Sequence, residues 1–449
     1  MVVTKEELLE KAKKPGKDAM LLHPFYKGKI EVLPKCCIRS VKDFAIWYTP
    51  GVAKACLAIR DDPPKAYTFT NKANAVAVVS NGTRVLGLGN IGAQASMPVM
   101  EGKALLFKYL GGVDAYPICL DTSDPEKIIE IVKILQPSFG GVNLEDIKKP
   151  DCFHVLDTLR SDPDVKIPVW HDDQQGTAAI TLAGIINALK IVGKKIQDAK
   201  FVFNGAGAAN VAIYRLCVSA GMKPENAILT DSKGIISRTN EVLKEKEPYK
   251  WDLAQETNPD SLEGPLANAL KGADILISYG ANGPGALKID DIKSMASDSI
   301  VMACENPIPG MWPWEAKDAG VKIFGTGRSD FPNQVNNSLG FPAIFRGTLD
   351  VQASTITDPM CIAAAEEIAK VAEEKDEFGP EYIVPPMTEQ ELFYREAVAV
   401  AMKAQEEGVA RLKRTRQDLF ESAKEIIQRS QKITKSLMDN DFIKSPPED

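Results

Sequence analysis

The chain has 449 residues, 44% hydrophobic and 26% charged, so it can bury a large core and is too long for one compact domain. Its 54 Lys and Arg against 61 Asp and Glu give a net charge of -7, which excludes a global basic field that would draw it to nucleic acid or an anionic membrane. We therefore expect two domains and a small-molecule partner, with no nucleic acid and no membrane.

The N-terminus and the cysteines predict a cytoplasmic protein. The first residues, MVVTKEELLEKAKK, are charged and lack an apolar signal region, and no run of about 18 apolar residues occurs. The eight cysteines are scattered, and none forms a C-x-x-C pair, which is typical of reduced core thiols.

Short β-branched segments alternate with helical stretches, as in βα units around a parallel sheet. The predicted strands are NAVAVVS, DAYPICLD, SFGGVNL, IPVWHD, KFVFNGAG, NAILTDS, DILISYG, SIVMACENP and VKIFGTG. Helices are predicted between them, for example MPVMEGKALLFKYL, AAITLAGIINALKIV and ANVAIYRLCVSAG. The fold class is therefore α/β.

Composition predicts three parts of the chain. The polar, proline-bearing LRSDPDVK ends an N-terminal α/β domain, residues 1–160, and IPVW opens a second sheet in a domain of residues 161–385. Thr388 and Glu391 have the spacing of a capping box, and the segments that follow, ELFYREAVAVAMKAQ and RQDLFESAKEIIQRSQKITKSLMDN, are helical in composition. Residues 386–449 are thus predicted to form a helical C-terminal extension.

The sharpest local pattern is KFVFNGAGAAN, a strand that runs through a glycine-rich turn into a helix. Gly205 permits the tight turn, and Gly207 lets the backbone approach a pyrophosphate at the helix N-terminus, beside Ala206 and Ala208. Asn210 stands at the third small position of G-x-G-x-x-G. The context predicts a Rossmann-like, doubly wound parallel sheet that binds a dinucleotide; the alternative is a purely structural turn.

The next strand ends at Asp231, which could accept hydrogen bonds from a ribose 2′-hydroxyl and would then favour NAD. Ser232 and Lys233 follow, and they could bind a 2′-phosphate instead. The residues alone leave the choice between NAD and NADP open.

Carboxylates follow two predicted strands. Glu145 and Asp146 end NLEDI, and Asp172 and Asp173 follow IPVWH, at the edge where open α/β sheets bind ligands. Oxygen donors without thiolates suit Mg²⁺ or Mn²⁺ rather than zinc. The alternative is that an aspartate caps the helix near Gly176 and the other carboxylates are solvated. A catalytic role for the neighbouring His171 is not favoured, because carboxylates are available.

Taken together, the motifs resemble the malic enzyme family from GKIEVLP to EEGVARL. They are WYTPGVA, NGTRVLGLGNIGAQASMPVMEGKALLFK, NLEDI, HDDQQGTA, NGAGAAN, CENPIPG and GRSDFPNQVNNSLGFPAIFRG. The match is closest to the compact form of the family, with an added helical tail.

The resemblance implies a reaction and its acid and base. L-malate is oxidised at C2 by hydride transfer to the nicotinamide, the oxaloacetate loses CO₂, and the enolate is protonated to pyruvate. Lys103 matches the base for the C2 hydroxyl, which requires a lowered pKa, and Tyr48 matches the acid at C3. Without the family match, both read as ordinary surface or packing residues.

The resemblance also implies the binding residues. Glu145, Asp146 and Asp173 match the metal ligands, Asp172 orients them, and Arg84 is placed to hold a substrate carboxylate. The amides that contact substrate or nicotinamide are Asn306 and Asn337, with Asn336 sharing the cofactor contact; asparagines in loops also serve turns.

The family further implies NADP or NAD as cofactor and a homodimer. DSKG is similar to NADP-using members, so NADP is weakly favoured. Asn210 in place of the third glycine is expected to loosen the packing of the helix on its strand.

Two other functions compete with this interpretation. A 2-hydroxy-acid dehydrogenase would stop at the keto acid, and a dinucleotide-sensing regulator would bind NAD(P) without turnover. Simple hydride transfer does not need the metal trio, and a sensor could lose the residues that are intact here, namely Tyr48, Lys103, Glu145, Asp146 and Asp173.

Overall fold

The computed structural model describes residues 5–280, 283, 285–305 and 308–447, and of residues 5–12 it describes the backbone alone. The strands are β1 (Ala75–Ser80), β2 (Asp114–Cys119), β3 (Gly141–Glu145), β4 (Val169–His171), β5 (Phe201–Asn204), β6 (Ala227–Asp231), β7 (Gly234–Ile235), β8 (Ile275–Ser278), β9 (Ile300–Ala303) and β10 (Ile323–Thr326). The α/β fold and the nine predicted strands are confirmed, and only the two-residue β7 was not predicted.

The helices fill the connections. They are α1 (Lys5–Tyr26), α2 (Phe44–Trp47), α3 (Val52–Asp61), α4 (Ala66–Phe69), α5 (Ala93–Gly111), α6 (Pro125–Leu135), α7 (Asp151–Ser161), α8 (Thr177–Val192), α9 (Ala208–Ser219), α10 (Val242–Lys246), α11 (Pro248–Glu256), α12 (Leu266–Leu270), α13 (Ile289–Ile292), α14 (Pro313–Asp318), α15 (Phe341–Asp350), α16 (Asp358–Glu373), α17 (Gln390–Glu406) and α18 (Arg416–Asp439).

The first sheet is wholly parallel, in the order β2-β1-β3-β4. Ser80 pairs with Glu145, and Leu144 pairs with His171, so the carboxyl ends of three strands meet at one edge. The prediction that IPVW opens a second sheet is wrong, because β4 pairs with β3 and completes this one. The polar LRSDPDVK stretch is only the connection from α7 to β4, since a βαβ unit needs a solvent-exposed loop there.

The second sheet has the order β10-β9-β8-β5-β6-β7, with only β7 antiparallel. From β5 the chain moves outward to β6 and β7, then crosses back to place β8 on the other side of β5. The strand order therefore reverses between β5 and β8. In a doubly wound sheet a ligand crevice forms at that point, outside the carboxyl ends of the strands.

Burial on both faces explains the composition of these elements. Every residue of β1 (AVAVVS) is buried, as expected of a parallel strand covered by helices on both sides. Helix α8 is apolar almost all round and ends at Gly193, whose φ of +69° suits glycine. The segment Asp172–Val192 is apolar and long enough to cross a membrane, but 78% of its apolar window is buried inside the molecule, as in a central core helix.

The predicted C-terminal extension is part of the main core. Helix α17 packs against α15 and α16, and its apolar side chains belong to the same cluster as those of both sheets. The amphipathic α18 buries Leu419, Ala423 and Ile427 at helical spacing and packs on α5 and α17. The predicted capping box of Thr388 and Glu391 is wrong, because the helix begins at Gln390, one residue later than a Thr388 cap requires, and Glu389 occupies the cap position.

The N-terminal segment contrasts with this core. None of residues 13–74 is buried. Its exposed large apolar side chains are here called the N-terminal apolar surface, and they are Met20, Leu21, Phe25, Tyr26, Ile30, Val32, Leu33, Ile38, Val41, Phe44, Ile46, Trp47, Tyr48, Val52, Leu57 and Phe69. An accumulation of exposed large apolar side chains in one segment favours an interaction site there.

Candidate active site

Lys103 is a buried lysine at the edge where the strands of the first sheet end. It lies on the inner face of α5, with 8% of the residue exposed. Its Nζ lies 2.5 Å from Asp172 Oδ2, 2.9 Å from Glu145 Oε1 and 4.3 Å from the centroid of the Phe341 ring. The folded chain therefore brings together three sequence-predicted residues from α5, β3 and the turn after β4.

The carboxylates determine the proton affinity of this lysine. Burial lowers the pKa of Lys103, but Asp172 and Glu145 raise it by more, so the pKa lies above its ordinary value. The lowered pKa expected of a catalytic base is thus not produced by these protein groups alone. The reason is that two anionic oxygens within 3 Å outweigh the desolvation of one ammonium.

Asp172 is the fully buried centre of the site. It accepts hydrogen bonds from Lys103 Nζ, Asn337 Nδ2 and, at 3.3 Å, Trp170 Nε1. It opens a single π-helical turn, Asp172–Gly176, that leads into α8, a geometry often found at functional sites. A Cβ on Gly176 would lie 1.9 Å from Asp172 Oδ1, so only glycine fits there. The hydrogen bonds to the Asp172 carboxylate come from side chains and not from backbone N–H groups of α8, which argues against the alternative of Asp172 as a helix cap.

The adjacent residues Glu145 and Asp146 make different contacts, because β3 ends between them. Glu145 is the last residue of β3, and its Oε2 accepts a hydrogen bond from Asn143 Nδ2 at 2.8 Å. Asp146 has φ +56°, in the left-handed region, which costs of the order of 1–3 kcal/mol for a non-glycine residue. Its backbone N–H donates to Asp173 Oδ2 at 2.7 Å, so the two strand-end segments are joined.

Negative charge is in excess at this edge. Burial raises the pKa of Asp146 to about 8, with Asp173 contributing, and burial likewise raises the pKa of Glu145, Asp172 and Asp173. The neighbouring His171 is fully buried, and burial lowers its pKa to about 3, so it is neutral and adds no compensating charge. A bound cation would compensate the negative charge of these carboxylates.

The carboxylates of Glu145, Asp146 and Asp173 are donors that suit a hard cation, but their oxygens do not point at one common position. Among the described residues no group of three or more His, Cys, Asp or Glu side chains is close enough to hold a metal ion. The carboxylates of Glu145 and Asp172 contact Lys103, whereas the Asp173 carboxylate accepts the backbone N–H of Asp146. Asp146 Oδ2 is buried without a hydrogen-bond partner among the described residues, so it is an oxygen that could coordinate a cation.

The second part of the site is the glycine-rich turn between β5 and α9. Gly205 has φ +104°, and a Cβ there would lie 3.2 Å from the Gly280 Cα, so the turn runs close to the chain after β8. A Cβ on Gly207 would meet nothing within 4 Å, which leaves open space at the helix N-terminus. Ala206 lies between the two glycines, and α9 begins at Ala208. The turn lies at the reversal of strand order.

The expectation that Asn210 loosens this turn is wrong. Asn210 is fully buried, and its Nδ2 donates to the carbonyl oxygens of Asn204 and Gly205, each at 2.8 Å. The side chain therefore fastens the first turn of α9 to the end of β5. Sequence spacing identified the position but not the bonds, which need the folded turn.

Asp231 lies at the end of β6 with both oxygens engaged. Oδ1 accepts the backbone N–H of Lys233 at 2.7 Å, and Oδ2 lies 2.6 Å from Lys250 Nζ. Lys250 is buried and also pairs with Glu247 at 2.6 Å. Ser232 and the side chain of Lys233 are exposed. Sequence reasoning missed Lys250, because nothing in the spacing of 19 residues between it and Asp231 signals the pair.

Other predicted residues lie apart from this cluster or outside the description. Tyr48 is 73% exposed on the N-terminal apolar surface, whereas Lys103 is buried. Arg84 is exposed, and its positive charge partly opposes the rise that burial causes in the pKa of Asp173. Asn336 caps the short helix Asn337–Leu339 by accepting the Ser338 N–H, the turn role open to a loop asparagine. Asn306 lies outside the described residues.

Comparison with known families covers most of the chain. The family described as "Malic enzyme, N-terminal domain" matches residues 27–160, and "Malic enzyme, NAD binding domain" matches residues 174–319 and 319–405. The NAD-dependent malic enzyme of Geobacillus stearothermophilus is 50% identical over 86% of this chain and 78% of its own length. The bifunctional malic/malolactic enzyme of Bacillus subtilis is 48% identical over 88% and 94%. The NADP-dependent malic enzyme of Escherichia coli K12 is 45% identical over 87% of this chain and 52% of its own length.

Solved structures agree with the sequence relatives. The crystal structure of the Entamoeba histolytica malic enzyme superposes with a TM-score of 0.95 at 44% identity, covering 100% of this chain and 93% of that one. The malic enzyme of Pyrococcus horikoshii Ot3 gives 0.86 at 49% identity, covering 91% and 94%. Since the matches span both sheets, the buried lysine and the glycine-rich turn, the chain belongs to the malic enzyme family.

Proposed function

We propose that this protein catalyses the oxidative decarboxylation of L-malate to pyruvate and CO₂, with hydride transfer to a nicotinamide dinucleotide. The observation that carries the proposal is the contact of Lys103 with Asp172 and Glu145. It places a buried proton-carrying group among carboxylates at the edge of the first sheet. Family membership supports the same reaction, because the relatives are named malic enzymes.

Each residue of the site is assigned a part in this chemistry. Lys103 takes the proton from the C2 hydroxyl of malate, and Asp172 holds it in position together with Asn337. The guanidinium of Arg84 binds a substrate carboxylate. Tyr48 returns a proton to C3 of the enolate. We also assign Asn306 and Asn336 to contacts with the substrate or the nicotinamide.

A divalent cation completes this proposal. Glu145, Asp146 and Asp173 would hold Mg²⁺ or Mn²⁺, and the unpartnered Oδ2 of Asp146 and the surplus of carboxylates support that assignment. When bound, such an ion acts as a Lewis acid on the substrate and neutralises the carboxylates that now hold the proton on Lys103.

The role of Lys103 is tested with Lys103→Met against Lys108→Met. Both lysines lie on α5, but Lys108 pairs with Asp114 at 2.6 Å and is outside the carboxylate cluster. We expect Lys103→Met to lower kcat for malate oxidation by roughly 10² to 10⁴, as for loss of a general base, with dinucleotide affinity retained. Fluorescence titration of NADPH measures that affinity. Turnover equal to that of Lys108→Met would remove Lys103 from the mechanism.

We further propose that NADP is the preferred cofactor. Asp231 already uses both oxygens on Lys250 and the Lys233 N–H, which leaves it poorly placed to select an unmodified ribose. The exposed Lys233 is available for a 2′-phosphate. The relatives do not decide, because they are named both NAD- and NADP-dependent. The test is the ratio of kcat/KM for NADP to that for NAD; a ratio below one refutes the preference.

We also propose a homodimer formed through the N-terminal apolar surface. Its exposed side chains include Tyr48, which needs a water-excluded place at the substrate to act as an acid. A second copy of the chain would cover this surface. Light scattering should give twice the chain mass, and Val41→Glu, at a position 82% exposed, should lower it. Val242→Glu, 58% exposed on α10, is the matched control. A monomeric wild type, or equal dissociation by both variants, would contradict the proposal.

A cytoplasmic location is proposed from the thiols. All eight cysteines are free, as in proteins of reducing compartments. Subcellular fractionation tests it, and recovery with the membrane or secreted fraction would refute it.

A further inference from the structure

Lys149 is a lysine from the first part of the chain that contacts the glycine-rich turn of the second. It lies between β3 and α7, and its Nζ donates to the carbonyl oxygen of Ala206 at 3.1 Å in a part-buried hydrogen bond. Ala206 stands between Gly205 and Gly207, where the dinucleotide is proposed to bind. The loop that follows the predicted metal ligands therefore also reaches the cofactor crevice.

Among the described residues, no carboxylate forms a direct ion pair with this lysine. Within the part of the chain that the structure describes, no Asp or Glu oxygen lies within salt-bridge distance of Lys149, whereas the adjacent Lys148 lies 3.5 Å from Asp151. Burial and the positive charge of Lys250 lower the pKa of Lys149 by more than Glu247 and Asp231 raise it. A part-buried ammonium without a directly paired carboxylate is suited to bind an anion.

Packing fixes where the ammonium points. Phe153, on α7 just after Lys149, packs against Tyr249 with ring centroids 5.3 Å apart. The Tyr249 hydroxyl donates to the same Ala206 carbonyl at 3.3 Å. Lys250 is the next residue of α11 and bonds Asp231. Two elements therefore converge on one side of the turn, the side that faces the end of β6.

That side is where a dinucleotide places its adenosine ribose. The acidic residue at the end of the second strand of such a fold lies beside the ribose 2′ position, and basic residues nearby accept a 2′-phosphate. Lys149 and Tyr249 share the Ala206 carbonyl, and Lys250, the neighbour of Tyr249, bonds Asp231, so the ammonium lies on the side of the turn nearest that position. Lys250 and the Lys233 N–H already occupy the Asp231 oxygens.

We propose that Lys149 is a specificity-determining residue that binds the adenosine 2′-phosphate of NADP. Lys250 is already paired with Asp231 and Glu247, so Lys149 supplies the positive charge for the phosphate. Lys149 thereby connects the loop between β3 and α7 to the cofactor. The inference rests on the proposed dinucleotide function and deepens the NADP preference by naming a residue outside the glycine-rich motif.

The test uses the full-length protein and two adenosine ligands that differ only in the 2′-phosphate. Calorimetry measures the affinity of adenosine 2′,5′-bisphosphate and of adenosine 5′-monophosphate for wild type, Lys149→Ala and Lys148→Ala. We expect Lys149→Ala to bind the bisphosphate about tenfold more weakly or worse, as for loss of a charge-assisted hydrogen bond, with monophosphate affinity changed by less than about twofold. Lys148→Ala should match wild type for both ligands.

Several results would overturn the inference. Equal losses for the two ligands would mean that Lys149 only supports the turn, and equal losses in the two variants would mean a general charge effect. No loss, or a wild type that gains nothing from the 2′-phosphate, would also refute it. A wild type that turns over NAD faster than NADP refutes the proposed preference but not the role of Lys149, which the binding of the bisphosphate decides separately.

Discussion

Asp172 shows how one buried carboxylate can organise a site. Its two oxygens accept hydrogen bonds from the neighbouring Trp170 and from two residues distant in the chain, Lys103 and Asn337. The close approach of the Gly176 backbone leaves the carboxylate no room to move. Removing one partner of such a buried group is costly, because the others lose their compensation.

Gly176→Ala should therefore disrupt catalysis, since the new Cβ would lie 1.9 Å from Asp172 Oδ1 and must displace it. We expect kcat to fall at least tenfold through the misplaced lysine, with a loss of stability of roughly 1–3 kcal/mol from overpacking. Gly184→Ala, on α8, is the matched control, because its Cβ would meet nothing closer than 3.4 Å. Malate oxidation rates and thermal unfolding of both variants check this. Equal activity in the two would show that Asp172 has freedom to move.

Residue identity was easier to predict than residue pairing. Glu145, Asp146, Asp172 and Asp173 were singled out from their places after strands, and the fold brings them to one edge. The bonds of Lys103 and Asn337 to Asp172 and the pairing of Lys250 with Asp231 could not be read from the sequence, because these contacts join residues far apart in the chain. Asn210 was misjudged because an asparagine can pack like a small residue and bond two carbonyls at once.

At the scale of elements, helix α17 contains a buried glutamate, Glu396, in the apolar core. Glu396 is fully buried in the core, and neither of its carboxylate oxygens has a hydrogen-bond partner among the described residues. Burial, with a contribution from Glu367, raises the pKa of Glu396 well above its ordinary value. The helix therefore holds a carboxyl group that is favoured in its neutral form.

Glu396→Met should stabilise the protein, and increasingly so at higher pH. The pKa of Glu396 in the folded protein is raised above the unfolded value of about 4.3. Between these two pKa values the folded state holds a proton that the unfolded state has released, so the wild-type protein loses stability as the pH rises above about 4.3. We expect a gain in the free energy of unfolding of roughly 1 kcal/mol or more at pH 8, and less at pH 5. Glu391→Met, exposed on the same helix, is the control.

Thermal unfolding across pH 5–9 measures this prediction. A gain that does not change with pH, or a destabilised variant, would show that Glu396 has a partner in solution that the fold does not reveal.

The positions of helices and strands were predicted better than the sheet or core that each one joins. Periodicity and β-branched content located the nine strands and the main helices, because these signals depend only on local burial. Which sheet a strand joins is decided by tertiary pairing, which is why β4 was assigned to the wrong sheet. The same reason makes the C-terminal helices part of the core rather than an extension.

At the scale of the whole molecule, the site is a junction between two sheet edges. The first edge gathers carboxylates and a lysine, the second presents the glycine-rich turn, and Lys149 contacts the second from the first. The N-terminal segment remains outside the core with its apolar side chains exposed. Sequence composition could not predict this exposure, because apolar content does not say whether a side chain is covered by its own chain.

Metal binding should be visible as a change in stability of the whole protein. Mn²⁺ at about 100 times its dissociation constant should stabilise the chelator-treated protein by about 2.7 kcal/mol. Asp146→Asn should lose most of that gain, since it removes the charge of the carboxylate that carries the unpartnered Oδ2. Asp164→Asn, at an exposed position, should keep it. Equal Mn²⁺-dependent shifts in Tm for wild type and Asp146→Asn would contradict the ligand assignment.

The reaction itself is the central claim. The measurement that tests it most directly is absorbance at about 340 nm with L-malate and Mn²⁺, with NAD and NADP offered separately and pyruvate assayed in the same tube. The account predicts reduced cofactor and pyruvate in equal amounts, with NADP faster. Reduced cofactor without pyruvate would identify a simple 2-hydroxy-acid dehydrogenase, and no reduction with either cofactor would contradict catalysis and leave a dinucleotide-binding regulator.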